Sequence, residues 1–164
     1  LAVTLRLRHG IEAVVAETDT WRRNKATEMG FDARPPDEIT NRFERIVHTS
    51  ATGDGLQFCI ERAATDGTVV ELSWYGLAPT TLNLGGAFHS NRVRLISSQV
   101  STIPPTVRDS VSIDDRKAIA AELLSDAAFD ALITNELSFD DAPEFFTQLR
   151  KGEIGDGLIW LIRY

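Results

Sequence analysis

The sequence predicts an α/β fold built on a parallel sheet with crossover helices. Three observations carry that prediction. Short β-branched runs alternate with segments of helical period through the first hundred residues. The connections between them are short and punctuated by glycine, too short for unrelated domains. After Val100 the pattern changes to a helix-dominated arrangement, introduced by the stiff connector Ile103-Pro104-Pro105.

The elements follow in order. Leu1 to His9 is a helix, with Leu1 and Leu5 on one face and Gly10 as its stop. Ile11 to Ala16 is a buried strand ending at Glu17. Asp19 or Thr20 caps a helix over Trp21–Met29, and Gly30 ends it. Asp32 to Asn41, with Pro35-Pro36, is loop around a short strand. Phe43 to Thr49 is a strand that runs into the small polar segment Ser50-Ala51-Thr52-Gly53. A helix from Asp54 places Leu56, Cys59, Ile60 and Ala63 on one face. Thr68 to Leu72 and Val93 to Ile96 are strands joined by a polar, glycine-containing crossing. Beyond the connector, Ser112 with Asp115 caps a helix over Arg116–Leu124, and Ala131 to Thr134 is a strand. Ser138 with Asp141 caps a helix that presents Ala142, Phe145, Phe146 and Leu149 on one face. Pro143 sits in its first turn and Gly152 at its end. Leu158 to Ile162 is the last strand.

Composition narrows the function classes. The chain has 164 residues, of which 43% are hydrophobic and 25% charged, as in globular proteins with a core. A net charge of −7 and the lack of a basic cluster argue against nucleic acid as a partner. No apolar run approaches the roughly 20 residues of a membrane span. Cys59 is the single cysteine, so no internal disulfide forms, and the expected compartment is the cytoplasm.

The chemistry-bearing residues form no familiar catalytic or metal motif. His9, His48 and His89 lack paired ligand spacing, and one thiol makes no metal cage. No GxSxG elbow is present, and Cys59 lies on an apolar helix face. His48, inside a strand, reads as packed or hydrogen-bonded. The pairs Asp114-Asp115 and Asp140-Asp141 stand at helix starts, where capping accounts for them. No catalytic residue and no metal ligand is therefore assigned.

Parallel sheets bind ligands beyond the carboxyl ends of their strands. Here those ends are Glu17, Thr49 to Gly53, Ser73-Trp74-Tyr75 and Ser97-Ser98-Gln99. Small hydroxyl residues there suit a ligand along the sheet edge, and they equally suit ordinary turns. Glu17 has the type and position of an acid that accepts from an adenosine ribose, or of a solvated strand end. On residue type it favours NAD, while Arg22 and Arg23 leave NADP open. A dinucleotide also needs a glycine-rich turn between first strand and first helix. Gly53-Asp54-Gly55 and Gly85-Gly86 do not stand in that place.

With these residues in view, the chain resembles the medium-chain dehydrogenase/reductase superfamily, and within it the zinc-type alcohol dehydrogenase-like members. The resemblance runs through LAVTLRLRHGIEAVVAETDTWRRNKATEMGFD, HTSATGDGLQFCIERAATDGTVVELSWYG, LNLGGAFHSNRVRLISSQV and ELLSDAAFDALITNELSFDDAPEFFTQLRKG, in family order and spacing. It implies a Rossmann-like doubly wound sheet over residues 1–110, without its first strand and glycine turn. It implies that residues 111–164 return to a catalytic domain. It implies that Glu17, with Arg22 nearby, takes the adenosine ribose of NAD or NADP. Thr49, Ser50, Ser73, Trp74 and Ser98 then line the nicotinamide side. The strand Arg92 to Ser98 is implied to pair across a homodimer. The reaction implied is hydride transfer between a nicotinamide and a small alcohol, polyol or carbonyl compound. Zinc and the groups doing acid–base work are expected only in the missing N-terminal part. A non-catalytic nucleotide-binding or redox-sensing relative, or a dimerisation module, are the competing expectations.

The strand order of such sheets adds a mechanical expectation. Their first strand is central. Without it, the strand at Ile11–Ala16 has nothing to link it to the strand at Phe43–Thr49. Each unpaired buried backbone group costs about 1–3 kcal/mol, against a usual net stability of about 5–15 kcal/mol. The 164 residues are therefore expected to be part of a longer enzyme, inactive and poorly folded by themselves.

Overall fold

The computed structural model describes residues 1–164. Its contacts divide the chain into two compact units, Ile39–Ile113 and a second made of Leu1–Glu38 with Asp114–Tyr164.

The first segment holds α1 (Ala2–His9), β1 (Val14–Ala16), α2 (Thr20–Glu28) and β2 (Asp32–Arg34). Gly10 ends α1 in the left-handed region at φ 60°, where its N–H donates to the Arg6 carbonyl and the Ile11 N–H to the Leu5 carbonyl. The Arg6 guanidinium binds Glu12 and the carbonyls of Met29 and Gly30, and stacks 3.8 Å over the Phe31 ring. One long side chain thus ties α1 to the end of α2 and covers the buried Phe31. Asp19 caps α2 by accepting from the Arg22 N–H. β1 pairs in parallel with β2 alone. The buried strand expected over Ile11–Ala16 is shorter and more open: Ile11 and Val14 are 45% and 38% exposed. The reason is the pairing, because a strand with one neighbour lacks cover along its other edge.

The Ile39–Ile113 unit holds β3 (Phe43–His48), α3 (Gly53–Arg62), β4 (Ala63–Glu71) and β5 (Arg94–Ser97). The strands form one sheet in the order β3–β4–β5, parallel throughout, with His48, Glu71 and Ser97 in register at their carboxyl ends. The Thr52 hydroxyl caps α3 by accepting from the Gly55 N–H. The apolar face read from the sequence packs on the sheet: Leu56, Cys59, Ile60, Ala63, Val69 and Val93 form the core, joined by Ile46, Phe58 and Phe88. Burial, with the nearby Glu71 charge, pushes the Cys59 thiol up to about 11, which keeps it a protonated core group. β4 begins five residues before the Thr68 expected from the sequence. The extra length passes through a register shift opposite Phe43–Arg45 and through Asp66 at φ 61°.

The last segment holds α4 (Ile113–Leu124), β6 (Ile133–Ser138), α5 (Ala142–Lys151) and β7 (Ile159–Arg163). Where the sequence suggests a strand from Ala131, a 3-10 turn occupies Ala127–Leu132 and the strand follows it. The turn is set by Asp126, whose side chain accepts from the Ala128 N–H. Ser138 caps a short turn ahead of α5, and Gly152 ends that helix at φ 71°. β6 and β7 pair in parallel across α5, and Phe145 packs 4.8 Å from Trp160.

Candidate functional site

Three strand ends meet at one edge of the β3–β4–β5 sheet. The ladder continues past them: Leu72 N–H donates to the His48 carbonyl and Ser98 N–H to the Glu71 carbonyl. His48, the last residue of β3, points into this edge and is only 3% exposed. Burying a histidine is unfavourable unless both ring nitrogens find partners. They do. Nδ1 lies 2.6 Å from Oε2 of Glu71, the last residue of β4, and Nε2 lies 2.7 Å from the Ser50 Oγ. An ionised carboxylate only accepts, so Nδ1 carries the proton. In the neutral ring Nε2 is then the acceptor for the Ser50 hydroxyl. Ser50 has one proton to give, so its oxygen accepts from Thr52 Oγ1, 2.9 Å away.

Glu71 is held from several sides. The Ser73 N–H donates to its Oε1 at 2.6 Å, and the Tyr75 hydroxyl donates to Oε2 at 3.1 Å. Burial raises its pKa, but hydrogen bonds from Ser73 and His48 outweigh that and hold it below the ordinary glutamate value. Burial and the Glu71 charge push the Tyr75 phenol up to about 12, so it stays a donor. The Ser73 hydroxyl accepts from the Ala51 N–H at 3.0 Å. This bond fixes the loop after β3, where Ala51 takes φ 54°. Gly55 lets the helix start come close. A Cβ there would stand 2.3 Å from Ser50 Oγ and 2.8 Å from His48 Nε2.

The residues named from the sequence fall as follows. Ser50 and Ser73 are brought together around His48 and Ala51. Thr49 and Ser98 stand exposed at the same edge. Trp74 projects outward, 87% exposed. Glu17 and Arg22 belong to the other unit, at the end of β1 and in the first turn of α2. Glu17 Oε1 accepts from the Asp19 N–H and the Thr18 hydroxyl, which holds the carboxylate at the strand end and leaves Oε2 open as an acceptor. Arg22 is exposed, while Arg23 braces the strand end through the Glu17 and Thr18 carbonyls. Sequence reasoning did not assign His48 or Glu71 to a site; Thr52 and Tyr75 fell within the strand-end stretches it named but were given no role. The signal available was positional: His48 and Glu71 each stand one residue before the end of a predicted strand, and they close the observed strands at the same sheet edge.

No three His, Cys, Asp or Glu side chains cluster closely enough to hold a metal ion. No helix is long and apolar enough to cross a membrane. An apolar recess of about 190 Å³ in the other unit is lined by Val3, Arg6, Leu7, Met29, Phe31, Ala128 and Ala131.

No protein-family model and no curated protein matches the chain. Solved structures do. One is a short chain alcohol dehydrogenase from E. coli CFT073 complexed with NADH, at TM-score 0.69 and 13% identity, covering 98% of this chain and 47% of that one. Another is the yhdH oxidoreductase from Salmonella enterica in complex with NADP, at TM-score 0.67 and 18% identity, covering 99% and 50%. A third is 2R,3R-butanediol dehydrogenase from Bacillus subtilis, at TM-score 0.71 and 14% identity, covering 99% and 46%. The chain thus spans about half the length of the structures it matches. Over that half it has the α/β fold, with parallel strands of Rossmann type, of these oxidoreductase structures.

Proposed function

We propose that this chain is the cofactor-holding part of a longer NAD(P)-dependent oxidoreductase acting on a small alcohol, polyol or carbonyl compound. The observation that carries the reading is the carboxyl edge of the β3–β4–β5 sheet. There Ser50 is held by the buried His48, and Ser73 by Glu71 and the Ala51 N–H, on a fold shared with oxidoreductases solved with NADH and NADP. In this reading Thr49, Ser50, Ser73, Trp74 and Ser98 line the nicotinamide side. Glu17, with Oε2 open, accepts from the adenosine ribose, and Arg22 stands beside it. The chemistry of the strand ends fits such a ligand: a carboxylate for a diol, hydroxyls for an amide. The nicotinamide, when bound, supplies the hydride chemistry; these residues bind and orient it. They do not fit a zinc ion, and the reading assigns zinc to residues outside this chain.

Residues 1–110 then belong to the cofactor domain and 111–164 to the catalytic domain. Exposed Phe146 and Leu149 on α5, with Ile159 and Leu161 on β7, support the second assignment, since they offer an apolar face for further chain to cover. β5 supports a homodimer through Arg92–Ser98, because it pairs with β4 on one edge only and exposes Leu95 and Ile96. A cytoplasmic location completes the reading.

The test is titration of the full protein with NADH and NADPH, followed by energy transfer from tryptophan to the reduced nicotinamide. Saturable transfer is expected with at least one of them. Glu17→Ala should weaken binding roughly 10- to 100-fold, the worth of about 1.5–3 kcal/mol for hydrogen bonds to a charged group. Absence of transfer with both nucleotides overturns the reading.

A further inference from the structure

The His48 cluster holds more than a cofactor-lining loop requires. We propose that Ser50, His48 and Glu71 form a nucleophile relay, which makes Ser50 an acyl-accepting serine toward small activated esters. The inference goes beyond the cofactor reading and does not need it.

Four observations support it. First, the chain of contacts is complete and directional: Ser50 Oγ to His48 Nε2 at 2.7 Å, and His48 Nδ1 to Glu71 Oε2 at 2.6 Å. This is the order of roles in serine hydrolases: nucleophile, base, and the carboxylate that orients the base. Second, burial is graded in the useful direction. The His48 and Glu71 side chains are 3% and 13% exposed, whereas Ser50 is open to solvent. Third, Ser50 stands on a strand-to-helix turn, between β3 and α3, with the next residue at φ 54°. A nucleophile is displayed at the top of a parallel sheet by the same kind of turn. Fourth, the first turn of α3 lies against Ser50, since a Cβ added at Gly55 would collide with Ser50 Oγ. The N–H groups of Gly53 and Asp54 in that turn have no intrahelical acceptor and are available to a developing oxyanion.

The step balances with an ester and water alone. Ser50 Oγ forms a bond to the ester carbonyl carbon as its proton moves to His48 Nε2. The alkoxide leaves and takes that proton as the alcohol. Water then attacks the acyl-serine, giving a proton to Nε2, and the acid is released as Ser50 recovers its hydrogen. One feature limits the rate. The Ala51 N–H, which follows the nucleophile, is already taken by the Ser73 hydroxyl. Loss of a single oxyanion donor costs on the order of 10²–10³ in rate. Slow acylation, not efficient turnover, is therefore the expected behaviour.

A fluorophosphonate probe tests this without depending on turnover. The Oγ–P bond forms as P–F breaks, and fluoride departs while the serine proton goes to His48. The full protein is incubated with the probe and the adduct located by peptide mass spectrometry. One adduct is expected, on Ser50, absent from Ser50→Ala and abolished when the protein is unfolded in urea before labelling. Labelling should slow on the order of 100-fold in Glu71→Gln and His48→Asn, the worth of a positioned base. The unfolding control keeps the test decisive if the buried variants do not fold. Failure to label Ser50 in the folded protein overturns the proposal, as does labelling no faster than that of exposed Ser101 and Ser110. NADH binding with Ser50 unlabelled refutes this inference alone. Labelling without binding of either NADH or NADPH refutes the cofactor reading alone.

Discussion

At the scale of single residues, Gly55 decides how the strand end and the helix start meet. Its φ is unremarkable; what it supplies is space. A methyl group there would meet Ser50 Oγ at 2.3 Å, His48 Nε2 at 2.8 Å and Thr52 Oγ1 at 2.9 Å. The serine can turn away, since it is exposed. His48 cannot, because its other nitrogen is pinned to Glu71. Alanine in place of glycine gains roughly 0.5–1 kcal/mol of helix preference, and overpacking costs about 1–3 kcal/mol. Gly55→Ala should therefore destabilise the full protein by about 1–2 kcal/mol in urea denaturation, and an unchanged or higher midpoint would contradict the packing described. The glycine was visible in the sequence but its purpose was not. Gly53-Asp54-Gly55 reads as a weak phosphate-loop signal, while the true constraint on Gly55 comes from His48, seven residues upstream. The histidine itself was legible as a hydrogen-bonded strand residue. Its partner Glu71 lies 23 positions away, and only the strand register, which the sequence does not print, puts the two side by side.

At the scale of elements, the α-helices were easiest to read, because each carries a periodic apolar face or its own punctuation. The face of α3 and its capping threonine lie within a dozen residues, and local chemistry suffices to define them. Strand boundaries depended on distant partners. β1 lost its first three residues and its burial for want of a second neighbour, and β6 gave way to a 3-10 turn where Asp126 captured the backbone. β5 makes the same point through its open edge. All four of its residues are exposed, Ile96 at 49%. An isolated edge of that kind is a pairing surface. If it joins its counterpart in a second copy, a charge at the seam should split the dimer: Ile96→Lys should run as a monomer in sedimentation velocity where the unaltered full protein runs as a dimer. A monomeric unaltered protein, or a variant that still dimerises, removes Arg92–Ser98 from the interface.

At the scale of the whole molecule, the question is whether these elements are self-sufficient. In the Ile39–Ile113 unit a three-stranded sheet and α3 share one core. The other unit buries only Val3, Phe31 and Ala142 among its apolar side chains. Its two sheets have two strands each, and two-stranded sheets are marginal in water without further cover. Ion pairs do not make up the difference. Arg6–Glu12, Arg34–Asp32 and Arg163–Glu136 all stand at the surface, where solvent screening leaves such pairs little net worth. Ordering a residue costs roughly 1–2 kcal/mol of backbone entropy, so a segment with so little buried apolar surface has little to offset it. On the proposed reading, further apolar contacts to this unit come through its exposed Phe146, Leu149, Ile159 and Leu161. Expressed by itself, the chain should melt without a sharp transition in near-ultraviolet circular dichroism and should bind a hydrophobic dye. In the full protein the same residues should melt cooperatively with the rest. A cooperative, dye-silent 18.1 kDa monomer would show instead that the two units hold themselves together, and would remove the need for further chain.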